Sequence, residues 1–414
     1  MVLFNSRQIN TGFSNTNTAP GESYADTLST PLKIHWRLCQ GGDAYNRSRG
    51  SMAVDTATAL PQIEKQIAFA DMAEKMGIDS LLVDFGYNKP DSIVLSTALG
   101  LMTKKIKLII ASRSGVMSPT AFVQQVNTLS SLIPGRLSLN VVAGHSPSEQ
   151  KYYGDFMPHD QRFSRTEEYL TICREFWNNN WENQLSTVDF TGKYYRIENA
   201  RLKTPFIDAT AAYATTSARG RPELFIAGSS TQAQALTKKV GDTWVSVAEA
   251  PKTMAHGIEQ MRSFGKEVAI RLSIICRPTK KEAVAAAYRL IKTGDRSETE
   301  KKFVSQSDSV GIKRAYKRAL DTDKNWLTEC LWNGAVKTHG APAISLVGDA
   351  EEIAAAILEF KQLGVSQMIL SGWPQYQEMC FFGKYLMPLI RESEDKYFTN
   401  IYQRMSFGGV PGTE

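Results

Sequence analysis

Short apolar runs alternate with longer amphipathic segments along most of this chain. The short runs are rich in β-branched residues and apolar on both faces, which is typical of parallel strands covered by helices. The pattern predicts eight strands, at residues 33–38, 80–84, 106–112, 137–142, 223–227, 242–247, 268–276 and 367–370.

The longer segments repeat their apolar residues at helical spacing. Within residues 61–76, for example, Ile63, Ile67, Ala70 and Ala73 fall on one face, and Gly77 marks the end of the helix. Comparable patterns predict helices at residues 92–102, 120–133, 162–179, 231–240, 253–264, 280–291 and 351–363.

This alternation predicts an α/β fold, a closed (β/α)8 barrel with insertions. The competing interpretation is an open, doubly wound parallel sheet. Such a sheet often carries the pattern G-x-G-x-x-G after its first strand, and this chain has no such pattern there. The sequence therefore favours the barrel.

Some segments fall outside the alternation. Residues 188–197 predict a hairpin, and residues 205–221 a polar loop. Residues 294–348 form a long insertion before the last helix and strand, with a helix at 313–320. We expect it to cover the top of the barrel as a lid, although a packed decoration without a gating role is the alternative. The barrel domain is predicted to span residues 31–395, between a flexible polar tail at 1–30 and a C-terminal tail at 396–414.

Charge and composition add few constraints. The chain has 48 basic and 42 acidic residues, a net charge of +6. These charges are interleaved, with no basic arm for nucleic acid, and the mild excess suits an anionic ligand as well as a solvated surface. The five cysteines are scattered, and no apolar window is long enough for a membrane span or a signal peptide. We expect a cytoplasmic protein.

Active sites of such barrels lie at the C-terminal ends of the strands, so the polar residues there are the candidates. The segment from Ala227 to Thr231 reads Ala-Gly-Ser-Ser-Thr and leads into a helix. Its glycine, hydroxyls and helix N-terminal amides suit a phosphate, although an ordinary serine N-cap explains the same pattern. The other candidates are Asp84, Ser112, Asn140, His145, Glu249 and Arg271.

The histidines do not indicate a metal. His145, His159 and His339 are not at metal-ligand spacing, and no acidic pair accompanies them. No G-x-S-x-G motif is present either. We expect no metal site.

Several segments together resemble a known family. These are VMSPTAFVQQVNTLSSLIPGRLSLNVV at 116–142, the segment 144–177, DFTGKYYRIENARL, ELFIAGSSTQA, SDSVG, LVGDAEEIAAAI and ILSGWPQYQE. The chain resembles, from about residue 34 to 390, the flavin-dependent monooxygenases of the bacterial luciferase superfamily. The last three segments match the alkanesulfonate monooxygenase branch in particular.

The resemblance implies a two-component enzyme acting on a small organic substrate. A separate NAD(P)H:flavin reductase would supply reduced FMN, O2 would add at the flavin C4a to give a (hydro)peroxide, and the barrel would bind flavin and orient substrate. It also implies a homodimer or homotetramer, and a non-proline cis peptide near residues 111–113.

Site residues follow from the same resemblance. Ser229, Ser230 and Tyr153 would hold the FMN phosphate. The flavin ring and ribityl chain would contact Asp84, Ser112, Asn140 and His145. The catalytic candidates are Arg271, His145, Trp373 and His339.

The chain departs from the alkanesulfonate pattern at several positions. Ser273 stands where that branch has histidine, Trp373 and Gln375 replace tyrosine and histidine, and Lys89 aligns with an active-site cysteine. Loss of the phenol and imidazoles changes the acid–base groups available. We therefore expect a substrate other than a simple alkanesulfonate. The alternatives are a sulfonate monooxygenase releasing sulfite and aldehyde, a deazaflavin-dependent oxidoreductase, and a non-catalytic flavin-binding protein.

Overall fold

The computed structural model of the chain describes residues 30–40, 60–178, 187–208, 220–292, 306–321 and 325–396. The predicted tails therefore lie almost entirely outside the described residues, as do parts of the 205–221 loop and of the insertion. The limits predicted for the barrel domain stay a prediction.

Eight parallel strands close into a barrel. Their order around it is β1-β2-β3-β4-β7-β8-β9-β12, and β12 pairs with β1 to complete the ring. The strands are β1 Lys33–Arg37, β2 Ser80–Val83, β3 Lys107–Arg113, β4 Leu137–Val142, β7 Glu223–Ala227, β8 Thr243–Val247, β9 Glu267–Cys276 and β12 Gln367–Ser371. The predicted closed barrel is confirmed, and the open sheet is excluded by the pairing of β8 with β9.

Helices surround the barrel in the expected alternation. They are α1 Ile63–Lys75, α2 Ser92–Met102, α3 Pro119–Leu132, α4 Pro147–Tyr152, α5 His159–Asn178, α6 Thr231–Val240, α7 Pro251–Ser263, α8 Lys280–Lys292, α9 Val310–Leu320, α10 Val336–His339, α11 Ala350–Gln362 and α12 Gln375–Phe381. Local chemistry fixes several of their starts. Ser118, for instance, accepts a hydrogen bond from the backbone N–H of Ala121, and Pro119 takes the first helical position. No helix among the described residues is long and apolar enough to cross a membrane.

The hairpin and the insertion add three smaller features. β5 Val188–Thr191 and β6 Arg196–Ala200 pair antiparallel, as predicted. Within the insertion, β11 Ser345–Gly348 pairs in parallel with the second half of β9, and β10 Leu331–Trp332 pairs antiparallel with β11. β10 and β11 were not predicted from the sequence.

The barrel interior and the helix layer form separate apolar clusters. Inside the barrel, one cluster comprises Leu82, Ile109, Phe225, Val245, Ala269 and Ile369. The larger cluster fills the space between strands and helices, where Trp36 and Phe382 are among the fully buried side chains. The interior is thus a packed core that ends below the mouth of the barrel, and the space above it is open to a ligand.

Candidate active site

A cavity of about 290 Å³ lies at the C-terminal mouth of the barrel. Its volume is at the lower end of the range of about 300–1,000 Å³ for small-molecule sites. Every barrel strand supplies at least one lining residue at or near its C-terminal end: Arg37, Asp84, Ala111, Asn140, Ala227, Val245, Arg271 and Ile369. The strands therefore converge on one site, as the sequence analysis expected.

The floor of this cavity is apolar. Leu82, Val245 and Ile369 belong to the cluster that fills the barrel interior, and they also line the cavity. All three are almost fully buried in the barrel. Such a floor accommodates the apolar part of a small-molecule ligand.

One side of the mouth is built to receive an anion. Gly228 has a φ of +147°, and a Cβ there would lie 2.7 Å from the Cβ of Ala233, so the turn into α6 requires glycine. The Ser230 side chain accepts a hydrogen bond of 3.2 Å from the backbone N–H of Ala233, and the Ser229 and Ser246 hydroxyls are 2.8 Å apart. The serines thus stand at a helix N-terminus whose first amides have no intrahelical acceptors.

A second helix N-terminus meets the first at this place. Ser309 caps α9 by accepting from the backbone N–H of Ile312 at 3.3 Å. Gly311 in its first turn approaches so closely that a Cβ there would be 2.9 Å from the Ser229 hydroxyl. Two helix dipoles therefore point their positive ends at one seat. Only the N-terminus of α6 was predicted from the sequence as part of this seat.

Ion pairs hold α9 in this position. The Glu249 carboxylate, buried at the end of β8, accepts from Arg314 at 2.6 Å and from Arg318 at 3.2 Å. Just before α9, Asp308 pairs with the buried Arg162. The part of the insertion at residues 306–321 is thus fastened to the barrel mouth, and its role as a lid stays a prediction.

Eight of the predicted site residues line the cavity. They are Asp84, Asn140, His145, Ser229, Ser230, Arg271, His339 and Trp373.

Ser112 does not line the cavity. Side chains alternate along β3, and Ile109 belongs to the barrel-interior cluster, so Ala111 and Arg113 face the cavity while Ser112 points away from it. The predicted cis peptide near Ala111–Arg113 is also wrong. These residues continue β3 in regular register with β4, and the only cis bond among the described residues is Trp373–Pro374.

Tyr153 is not part of the anion seat. Its ring lies 5.4 Å from that of Phe85, and the guanidinium of Arg113 lies 5.3 Å from its centre. Arg113 in turn donates to Glu149 at 3.0 Å. Tyr153 therefore packs against the Arg113–Glu149 pair, whose two members line the cavity. This pair was not predicted from the sequence, because its members lie on β3 and α4.

His145 is an uncharged group at neutral pH. Burial lowers its pKa, and the nearby charges of Glu149 and Arg113 act in opposite directions. Its Nδ1 lies 3.3 Å from the Ser307 hydroxyl, and its carbonyl accepts from the backbone N–H of Asp308 at 2.7 Å. His145 thus also docks the residues that lead into α9.

Trp373 and His339 form one wall. Their rings meet edge-on with centres 4.9 Å apart, and both residues are buried. The indole N–H of Trp373 has no hydrogen-bond partner among the described residues. The wall is therefore largely apolar, with one unused donor.

The neighbouring rim, at the ends of β1 and β2, carries charge. Asp84 accepts from Arg37, from Lys89 at 2.8 Å and from Arg271 at 3.4 Å. Burial alone raises the pKa of the Asp84 carboxyl, but the three cations outweigh it and hold that pKa well below its usual value. Asp84 is ionised at neutral pH.

Two departures from the alkanesulfonate pattern lie outside the cavity. Ser273 is buried and bonds to the carbonyl of Pro342 at 2.6 Å and to the Ser371 hydroxyl at 2.8 Å. Gln375 holds Arg37, accepting from its Nη1 at 2.9 Å and donating to its carbonyl at 2.8 Å. Both side chains therefore support cavity residues.

In the described part of the chain, no three His, Cys, Asp or Glu side chains converge as a metal site would require.

Comparison with known proteins places this geometry in context. The family model described as luciferase-like monooxygenase matches residues 45–367. Among solved structures, EDTA monooxygenase from Chelativorans sp. BNC1 is similar with a TM-score of 0.69 and 15% identity, over 88% of this chain and 94% of that one. Riboflavin lyase has a TM-score of 0.65 with 17% identity, over 88% and 92% of the two chains. Long-chain alkane monooxygenase has 0.64 with 15% identity, over 88% and 92%.

Proposed function

The chain belongs to the luciferase-like monooxygenase family, and from this premise we propose that it is an FMN-dependent two-component monooxygenase. It takes reduced FMN from a separate flavin reductase and uses O2 to oxygenate or cleave a small organic substrate. One observation carries the proposal: the cavity joins an apolar floor to an anion seat formed by Ser229 between the N-termini of α6 and α9.

The residues present fit FMN. The seat at Ser229 and Ser230 suits a phosphate, which two helix N-termini stabilise better than one. On the floor side, the Asn140 side-chain oxygen is buried and has no hydrogen-bond partner within the described residues. A buried acceptor of this kind is costly unless a ligand donates to it, as a ring N–H does.

Reduced flavin, when bound, supplies the electrons that activate O2 for transfer of one oxygen atom to the substrate. The protein's own part is to bind, orient and keep water out. Trp373 and His339 close one side of the cavity with apolar surface, and the segment before α9, docked on His145, closes another. Exclusion of water strengthens every electrostatic interaction inside the site.

The cavity also supports a substrate other than a simple alkanesulfonate. Trp373 and Lys89 both line it, where the alkanesulfonate pattern has a phenol and a thiol. An indole offers only an N–H donor and a larger apolar face. Positioned groups that donate and accept protons therefore differ from those of that branch, which favours a different reaction.

The test has two stages on the full-length protein. Anaerobic titration with photoreduced FMN measures binding, and an oxygen electrode then measures O2 uptake with a panel of aldehydes, amines, thioethers and alkanesulfonates. We expect reduced FMN to bind and substrate oxidation to follow with at least one non-sulfonate compound. Sulfite release from alkanesulfonates alone would favour the sulfonate alternative. Binding of a deazaflavin in place of FMN would overturn the proposal.

A further inference from the structure

Four charged side chains meet at the cavity rim formed by β1, β2 and β9. Asp84 stands at the centre and pairs with Arg37, Lys89 and Arg271. Among the described residues, Asp84 is the only carboxylate in an ion pair with any of the three. The cluster therefore holds three positive charges against one negative charge.

These charges are removed from water. The side chains of Asp84, Lys89 and Arg271 are 10%, 14% and 22% exposed. The Arg271 Nε has no hydrogen-bond partner in the described part of the chain. Burying positive charge without an equal negative charge is unfavourable, so the surplus is expected to be balanced by something that binds.

Other carboxylates at the cavity are already matched. Glu149 is paired with Arg113 at 3.0 Å, and Asp308 with Arg162. They leave the surplus at the Asp84 cluster in place.

Within the cluster, Arg37 is held from behind. Its Nε donates to Asp84 and its Nη1 to Gln375. Gln40 fixes Asp84 itself, accepting from its backbone N–H at 2.8 Å and donating to its carbonyl at 3.0 Å. The side chains of Lys89 and Arg271, by contrast, hydrogen-bond to Asp84 alone among the described residues, and both line the cavity.

The two cations lie on different sides of the phosphate seat in the ring β1-β2-β3-β4-β7-β8-β9-β12. Strand β7 precedes Ser229; Arg271 is on β9, two strands away, and Lys89 follows β2, three strands away in the other direction. The β2 side of the mouth therefore carries positive charge outside the phosphate seat, and an anionic group other than the phosphate is expected to balance it.

We propose that Lys89 and Arg271, braced by Asp84, form a second anion-binding site that takes a carboxylate of the substrate. This inference rests on the proposed function, because it assigns the phosphate seat to FMN. It makes Lys89 a specificity-determining residue: the substrate is an organic anion, oriented with its charged end at β2 and β9 and its apolar body towards Trp373.

The site should depend on pH through Lys89. Burial lowers the pKa of Lys89 to about 8; Asp84 opposes this, while Arg37 and Arg271 add to it. Below that pH the ammonium is charged and attracts the anion. As pH rises through 8 the charge is lost, and affinity for the anion falls.

The experiment compares matched acids and amides by calorimetry on the FMN-loaded protein. Butyrate and benzoate serve as probes, with butyramide and benzamide as neutral controls of the same shape. At pH 7 we expect each acid to bind at least tenfold more tightly than its amide. Lys89→Met should remove that preference. Lys89→Arg should retain it, and in this variant the preference should not change between pH 7 and 9. Equal binding of acids and amides by the wild type would overturn the proposal.

The reduced flavin ring is the other source of negative charge. Affinities for oxidised and reduced FMN are therefore measured for wild type and Lys89→Met. A tenfold loss confined to reduced FMN, with the acid preference intact in the variant, would assign the cluster to the flavin and refute the substrate assignment. Acid preference in a protein that does not bind FMN would refute the proposed function and leave this site standing; FMN binding without acid preference would refute this site alone.

Discussion

Gly311 lies against Ser229, although 82 positions separate them in the chain: a Cβ on Gly311 would be 2.9 Å from the Ser229 hydroxyl and 3.3 Å from a methyl group of Val247. The insertion therefore completes the anion seat that begins at the end of β7.

Replacing that glycine tests the arrangement. Gly311→Val should push α9 away from Ser229 and weaken FMN binding roughly tenfold, with little change in the thermal midpoint. Lys317→Ala, at an exposed position of the same helix, is the matched control. The measurement is FMN titration followed by protein fluorescence. If Gly311→Val bound FMN with unchanged affinity, α9 would not be part of the phosphate seat.

Ser230 caps α6 and is proposed to bind the FMN phosphate, and a negative charge at this position distinguishes the two roles. Aspartate caps helices as well as serine does, so Ser230→Asp should preserve thermal stability. Its carboxylate would face the phosphate, and like charges in contact cost several kcal/mol, so FMN affinity should fall about a hundredfold or more. Ser118→Asp makes the same change at the N-cap of α3, away from the cavity. If Ser230→Asp binds FMN as the wild type does, the phosphate lies elsewhere.

Glu249 should matter more than an ordinary surface glutamate. Its carboxylate is 8% exposed and bonded to Arg314 and Arg318, which are partly exposed. Glu249→Gln should destabilise the protein by about 1–3 kcal/mol and speed limited proteolysis within residues 306–321. Glu167→Gln breaks the exposed pair with Lys239 and should cost less than about 1 kcal/mol. Equal effects of the two variants would show that α9 is held by other contacts.

Arg271 is expected to serve turnover and not folding. Burial lowers its pKa, which means that its charge is unfavourable in the folded protein. Arg271→Met should therefore keep or raise the thermal midpoint while lowering kcat/KM at least a hundredfold, about 2.7 kcal/mol of transition-state stabilisation. Lys33→Met, on a partly exposed cation at the opposite end of the barrel, is the control. Normal turnover in Arg271→Met would make Arg271 a structural residue.

Glu378 should give the stability a pH dependence. Burial raises the pKa of this carboxyl from its usual 4.5 to about 7, although Arg277 opposes the shift. A carboxyl with a higher pKa in the folded than in the unfolded protein favours folding at low pH, and this contribution is lost as pH rises from about 4.5 to 7.

The corresponding variant is Glu378→Gln, compared with the exposed Glu359→Gln on α11. Between pH 5 and 8, the free energy of unfolding of Glu378→Gln should rise relative to the wild type, by at most about 3 kcal/mol. Urea unfolding at several pH values measures it. Parallel curves for the two variants would contradict the shifted pKa.

The barrel was predictable because its signal is local. Parallel strands buried on both faces are continuous apolar runs, so β4, β7, α2 and α6 have their predicted limits. The same property hid which side chains face inward. When polar and apolar residues do not alternate along a strand, the sequence does not show which side chains face inward. Ser112 was therefore predicted to lie in the site, whereas Ala111 and Arg113 line the cavity.

The missing parts of the site depend on long-range contacts. β11 is only four residues long, and its partner β9 lies about 70 positions earlier. Lys89 contacts the nearby Asp84, but Arg271 reaches the same carboxylate only because the closed barrel brings β9 near β2. Hydrophobic periodicity in the sequence gives no information about such long-range contacts.

Strand β9 is longer than its barrel neighbours, and its second half, Ser273–Cys276, pairs with β11 of the insertion. Trimming the insertion to leave a minimal barrel would expose those amides and carbonyls as a bare apolar edge, a template for another chain to add a strand. The first half of the same strand contains Arg271. Shortened forms of this enzyme should therefore aggregate before they lose their barrel. If the insertion was added to an existing barrel during evolution, another segment must have covered that edge beforehand.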